Sequence, residues 1–285
     1  MIKAILTLLF LLGSFTAFAQ NRVLIVGDSW AQLQIDNNTH MQVFSDNGFA
    51  NIGIDPVSDS TSDNGKEAAD WAMPDQLQII ANAIAANPDI DTVQVTLGGN
   101  DFLNAWDANM TMMEQDALQQ QILVNLTTIV DFILAQDSNI EVILSFYDYP
   151  NFVDTISGVA GIFCNNLFTD MAQPSVVELN TASRAFELAY TQIATNNPRV
   201  YHVSHFGLMQ SFFGFPAEGI LPGDIMPPGD ISRPSPLEAM RDFGFGIRDC
   251  FHLSPEGYGF LVQNAFDGYF LGRFDTIFKA GFESF

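Results

Sequence analysis

The sequence predicts an α/β fold, a three-layer α/β/α sandwich around a mostly parallel five-stranded sheet, on three observations. Five short apolar runs of strand type recur along the chain, and longer stretches with helical spacing separate them. Strands joined by helical crossovers pair in parallel, because the right-handed crossover lays its helix back on the sheet face. The composition, 48% hydrophobic and 15% charged in 285 residues, supplies the apolar surface that a single core of this size needs.

The strand-type runs are Arg22–Gly27, Asn51–Val57, Thr92–Leu97, Ile140–Phe146 and Arg199–Val203. Helical spacing covers Ala31–Asn47, which Asn47-Gly48 ends, and Pro74–Ala86, which starts on a proline suited to the first turn and stops at Asn87-Pro88. It returns over Thr111–Gln136 and Ser175–Asn196, and over a last helix from Ser254, as N-cap, to about Leu271. Residues 20–285 read as one domain. The exception to the alternation is Phe206–Arg248, where Gly and Pro crowd together and no period survives; a loop this long in a compact domain is a functional or a disordered segment.

Residues 1–19 read as a secretory signal: Lys3, an apolar stretch, then Ala17-Phe18-Ala19 with small residues where a signal peptidase needs them. Cleavage is expected before Gln20, leaving 266 residues with a formal charge of −24 in a secreted or periplasmic protein. A membrane anchor is the alternative, but the apolar run is short and no cationic stop follows, so stable membrane insertion is not expected. Export lets Cys164 and Cys250 pair across 86 positions, the alternative being two separate buried thiols.

The 33 acidic residues against 10 Lys and Arg, with no basic residue between Lys66 and Arg184, exclude nucleic acid as a partner, since attraction to phosphates needs clustered cations. An anionic membrane surface is disfavoured for the same reason. An acidic shell of this kind suits a salty exterior and disfavours strongly anionic substrates unless arginines gather them.

Candidate chemistry lies where strands end. The first strand runs into Gly27-Asp28-Ser29-Trp30, and a helix follows; a serine there stands at the edge where open parallel sheets bind ligands, although Gly-Asp-Ser also makes an ordinary turn with a helix N-cap. Leu97-Gly98-Gly99-Asn100-Asp101 ends the third strand, and Asp249-Cys250-Phe251-His252 precedes the last helix. An Asp three residues before a His can accept the Nδ1 proton and leave Nε2 free to act as base toward a serine hydroxyl.

These segments resemble blocks I, III and V of the GDSL/SGNH hydrolases, in order and at suitable separations. Gly65-Lys66-Glu67-Ala68-Ala69-Asp70-Trp71 is similar to the Gly-x-x-Ala-x-x-Trp form of the remaining block. The resemblance spans Gly27 to His252 and implies a flavodoxin-like sandwich bearing a serine esterase site with neither metal nor organic cofactor. It implies Ser29 as nucleophile, His252 as base and then acid, and Asp249 as the residue orienting the imidazole. The oxyanion hole would be the N–H groups of Ser29 and Gly65 with the side-chain amide of Asn100. Trp30 stands where the family has Leu, and Lys66-Glu67 where small residues are common; Asp59 or Ser60 competes with Gly65 as N–H donor. The expected substrates are short-chain or lipid esters; carbohydrate O-acetyl esters and lysophospholipids are alternatives on the same site, and a binding module without turnover is the alternative of another class. Acyl length, leaving group and oligomeric state are not set by the sequence.

Among other residues, His202 and His205 read as structural histidines rather than metal ligands, and His40 as a surface residue. Phe206, Phe212, Phe213 and Phe215 form either a satellite core or an apolar wall or lid over the acyl side. Arg233, Arg241 and Arg248 either pair with neighbouring acids or anchor a substrate carboxylate.

Overall fold

The computed structural model describes residues 20–156 and 161–275; the signal segment of residues 1–19 lies outside them. Strands β1 (Gln20–Gly27), β2 (Ile52–Ile54), β3 (Thr92–Thr96), β4 (Glu141–Ser145) and β5 (Val200–His202) form a sheet in the order β2-β1-β3-β4-β5, with every neighbouring pair parallel. The strand order reverses between β1 and β3, so the carboxyl ends of these two strands frame the crevice of the sheet.

Period-two alternation sorts each strand between two cores. Leu24 and Val26 of β1, with Val93, Val95, Val142 and Leu144, face helices Pro74–Ala86, Met112–Leu134 and Val176–Asn196. Val23, Ile25 and Ile143 face Phe44 of helix Thr39–Asp46 and the run Val262, Phe266, Phe270 and Phe274 near the C-terminus. Helix starts follow the sequence signals: Thr111 with Glu114 and Ser175 with Glu178 form capping boxes, and Ser254 accepts from the Gly257 N–H. Helix Met112–Leu134 is long and apolar enough to cross a membrane by composition, but Ile122, Leu126, Ile129 and Ile133 are spent on the sheet.

Several expectations need correction. The helix expected over Ala31–Asn47 is two helices, Ser29–Asp36 and Thr39–Asp46, broken at Asn38, which adopts the left-handed conformation at φ 54°. His40 is fully buried, its Nε2 2.8 Å from Gln94 Oε1, and Gln94 in turn donates to Gln34; burial pushes the His40 imidazole down to about 4. The Phe206–Arg248 segment is neither disordered nor featureless. It holds helix Leu208–Phe213 and most of an antiparallel hairpin, β6 (Met240–Gly244) and β7 (Ile247–Leu253).

Its irregular part is held by buried side-chain amides that take over the work of secondary structure. Gln210 Nε2 donates to the carbonyls of Asp230, Arg233 and Pro234, Asn180 Nδ2 to those of Ile231 and Arg233, and Asn151 Nδ2 to that of Ser235. Asp148, just beyond β4, accepts the N–H groups of Tyr149, Gly207 and Met209 at 2.7, 2.7 and 2.8 Å and so fixes the entry to this segment.

Cys164, on helix Gly161–Asp170, is disulfide-bonded to Cys250 on β7. In the chain-entropy account a link across 86 positions is worth on the order of 4 kcal/mol. The double substitution Cys164→Ser/Cys250→Ser is therefore expected to lower the unfolding free energy by about 2–4 kcal/mol in urea titrations, and an unmoved midpoint would count against it.

Burial pushes the Asp148 carboxyl up from 3.8 to about 7 although its three N–H donors pull the other way. A carboxyl whose folded pKa lies above its unfolded value contributes stability that is complete below the unfolded pKa and lost as pH rises through the folded one. Asp148→Asn, which stays neutral, should thus gain on the wild type in melting temperature as pH is raised from about 4 to about 8. A difference in melting temperature that stays flat over that window would contradict this.

Candidate active site

The site assembles from three segments at the carboxyl edge of the sheet. The first is the turn after β1. Asp28 caps helix Ser29–Asp36 by accepting the Trp30 N–H at 2.9 Å, and its other oxygen accepts the Tyr147 hydroxyl at 2.5 Å. Burial pushes the Asp28 carboxyl up to about 7, against those two hydrogen bonds. The N-cap reading holds, and the cap places Ser29, itself mostly buried, as the first residue of the helix where it lines a cavity at the sheet edge.

Trp30 takes up the space beneath the turn. Its indole stacks on Tyr147, with centroids 4.3 Å apart, and meets the edge of Tyr258 at 5.6 Å. The far side of Tyr147 lies so close to Gly99 that a Cβ there would stand 1.9 Å from the ring. Glycine at this position lets the β3 turn close down on the aromatic layer.

The second segment carries Gly65. Thr61 O accepts the Gly27 N–H, Asp63 N–H donates to Gly27 O, and Trp71 Nε1 donates to Gly27 O at 3.0 Å. This ties residues 61–71 to the end of β1. Asp101 Oδ2 accepts the Ala68 N–H at 2.7 Å, and burial pushes that carboxyl up to about 6. Asn100 Nδ2 donates to Lys66 O at 2.9 Å, which fixes the amide beside Gly65. A primary amide carries two N–H donors, so one remains for a ligand. The N–H groups of Ser29 and Gly65 have no protein acceptor among the described residues. Asp59 and Ser60, the competing choices, sit in the short 3-10 turn Pro56–Ser60, and Gly65 rather than either of them lines the cavity that holds Ser29.

The third segment is β7. Asp249 and His252 stand on this strand of the hairpin, which the disulfide joins to helix Gly161–Asp170. His252 Nε2 lies 2.8 Å from Ser29 Oγ, and His252 Nδ1 lies 2.8 Å from Asp249 Oδ2. Asp249 Oδ1 accepts the N–H groups of Phe251 and His252, each at 3.1 Å. Burial works to raise the Asp249 carboxyl, but the His252 ring and these N–H groups outweigh it and hold it below its ordinary value. With the proton on Nδ1 facing Asp249, Nε2 is the acceptor for the Ser29 hydroxyl.

Ser29, Gly65, Asn100 and His252 open onto one cavity of about 590 Å³, whose apolar wall is Leu33, Leu103, Leu167 and Phe251. None of the loop phenylalanines proposed for that wall reaches it. Phe206 packs in the core against Phe146 and Tyr149, Phe212 and Phe213 against Phe260, and Phe215 under Arg233. His205 is buried, and burial pushes it down to about 3; His202 lies 3.4 Å from Glu187. The three loop arginines part company. Arg233 pairs with Glu218 and Asp230, and Arg248 with Asp242, whereas Arg241 lines the cavity. Of the three arginines weighed from the sequence, Arg241 alone reaches the cavity; the residues that sequence reading missed are the Tyr147 that holds Asp28 and the wall from helix Gly161–Asp170. Only Tyr147 carried a signal, as a polar aromatic directly after a buried strand.

No family model and no curated protein matches the chain. Solved structures do. A protein from Streptococcus pneumonia, provisionally named a platelet activating factor, is 16% identical with a TM-score of 0.55 over 89% of this chain and 86% of that one. A family 3 carbohydrate esterase from Clostridium thermocellum is 15% identical with a TM-score of 0.45 over 87% and 94%. An extracellular lipase from Streptomyces rimosus is 12% identical with a TM-score of 0.48 over 87% and 99%. The parallel sheet in the order β2-β1-β3-β4-β5, flanked by helices, shares its three-layer fold with the Streptococcus protein.

Proposed function

We propose that this chain is an exported serine esterase that hydrolyses carboxylic esters through an acyl-enzyme. The observation that carries the reading is the continuous line Ser29 Oγ, His252 Nε2, His252 Nδ1, Asp249 Oδ2, with 2.8 Å at both hydrogen bonds, whose Ser29 and His252 line a cavity walled in part by Leu33, Leu103, Leu167 and Phe251. The esterases and lipases among proteins of similar shape agree with it. Export is supported by the Cys164–Cys250 disulfide, since such links persist in oxidising compartments.

In this scheme Ser29 Oγ attacks the ester carbonyl carbon while its proton passes to His252 Nε2. Asp249, kept anionic by its donors, stabilises the imidazolium and does not take the proton. The carbonyl oxygen becomes an oxyanion held by the N–H groups of Ser29 and Gly65 and by Asn100 Nδ2. Collapse breaks the bond to the alcohol, which leaves with the proton from His252. Water then enters, gives a proton to His252, and releases the acid and Ser29 by the same path in reverse. Each bond in the cycle is supplied by residues already in place.

Ser29→Ala should abolish hydrolysis of short p-nitrophenyl esters and labelling by a fluorophosphonate while leaving the melting temperature within a few degrees. Turnover that survives in the purified variant would sink the mechanism. Asn100→Ala should lower kcat by roughly 10²- to 10³-fold with a much smaller change in KM, because the amide is called upon most when the oxyanion forms. A change confined to KM would assign Asn100 to ground-state binding instead.

A further inference from the structure

Arg241 is the cation that the chain leaves unneutralised at its cavity. Arg22, Arg233, Arg248 and Arg273 each have a carboxylate within 4.0 Å; among the described residues Arg184, Arg199 and Arg241 have none, and of these three Arg241 is the one that lines the cavity. In a chain of formal charge −23, this leaves one positive charge at the cavity with no acidic neighbour in contact. Its place is specific too. It lies on β6, the strand paired with the one that carries Asp249 and His252, and lines the cavity together with Ser29, Asn100 and His252.

The surroundings hold the guanidinium in place without neutralising it. Its carbon sits 5.2 Å from the centroid of Phe243, two residues along the strand, an arrangement that orients the group and leaves its donors free. The acids nearby are committed elsewhere: Asp242 to Arg248, and Asp249 to His252. Asp170, at the end of helix Gly161–Asp170, lines the same cavity yet forms no ion pair with Arg241.

We infer that Arg241 is a specificity-determining residue that binds an oxyanion, carboxylate or phosphate, carried by the ester substrate. The inference rests on the hydrolase reading above and names its substrate class. A guanidinium engages such groups through two parallel N–H···O bonds, and Arg241 lines the cavity that opens on Ser29. The field of an acidic chain works against anionic substrates, so a fixed arginine at the site sets which of them are accepted.

The test compares four esters in two pairs: p-nitrophenyl butyrate with mono-p-nitrophenyl glutarate, which puts a carboxylate on the acyl side, and glycerol monoacetate with acetylglycerol phosphate, which puts a phosphate on the alcohol side. The readout is the ratio of kcat/KM for the charged over the neutral member of each pair. The wild type should favour the charged member of at least one pair, and the pair identifies the anion and its side. Arg241→Gln should lower that ratio by about 10- to 100-fold, Arg241→Lys should recover part of it, and Asp170→Asn should raise it by relieving repulsion. A ratio within about twofold of the wild type in both Arg241→Gln and Asp170→Asn, for both pairs, overturns the role of Arg241 while hydrolysis of the neutral esters keeps the enzyme reading alive. A wild type that hydrolyses none of the four sinks that reading and this one with it.

Discussion

The close contact between the ends of β1 and β3 is what the rest of the site depends on. Gly27 closes β1 directly against Thr96, where a Cβ would stand 2.4 Å from the Thr96 carbonyl oxygen. That carbonyl accepts the Asp28 N–H at 3.2 Å. Only glycine permits this approach. Once it is made, the two turns that follow, Asp28-Ser29 and Gly98-Gly99-Asn100, lie side by side at the point where the strand order reverses. Ser29 and Asn100 are neighbours because two backbones can touch.

Around this contact the chain spends buried polar groups on aiming functional ones. Asp28, Asp101 and Asp148 are all pushed above their ordinary values by burial, so each works against the folded state as pH rises, and each holds a segment that bears on the site. Asp28 positions the helix that starts at Ser29, Asp101 the segment that carries Gly65, and Asp148 the start of the chain that returns to the hairpin. Asp249 goes the other way, held low by donors from His252 and Phe251. Environments thus separate one carboxyl built to remain anionic from three that take up protons readily, a division that burial and hydrogen bonding produce without any change of residue type.

Much of this was legible in the sequence because it is written locally. Strand runs bounded by turn residues, a proline at the start of Pro74–Ala86, and the N-cap Ser254 before the last helix declare themselves within a few positions. So did the ordered blocks, since a serine, a Gly-Asn pair and an Asp-x-x-His at strand ends need only register to converge. What escaped has no local period. The β6–β7 hairpin lies beyond a Gly/Pro-rich stretch whose order comes from Gln210, Asn180 and Asn151, side chains 20 to 84 positions away from the carbonyls they bind. His40 was misplaced for a related reason. Its helix reads as amphipathic, and only the distant Gln94 makes burial of the imidazole tolerable.

The hairpin then explains why one disulfide suffices. β7 joins the five-stranded sheet through no ladder; it pairs only with β6, and a two-stranded ribbon alone is marginal in water. Yet it carries both Asp249 and His252. Cys250, between them, is bonded to the helix whose Asn166, Leu167 and Asp170 form the opposite wall of the cavity, and its carbonyl accepts the Asn151 N–H at 2.7 Å. The link therefore fixes His252, Asp249 and this wall of the cavity to one another at the place where the sheet provides least support. Arg241 lies on β6, the strand paired with β7, so the same link also ties the strand that carries the guanidinium to the helix across the cavity.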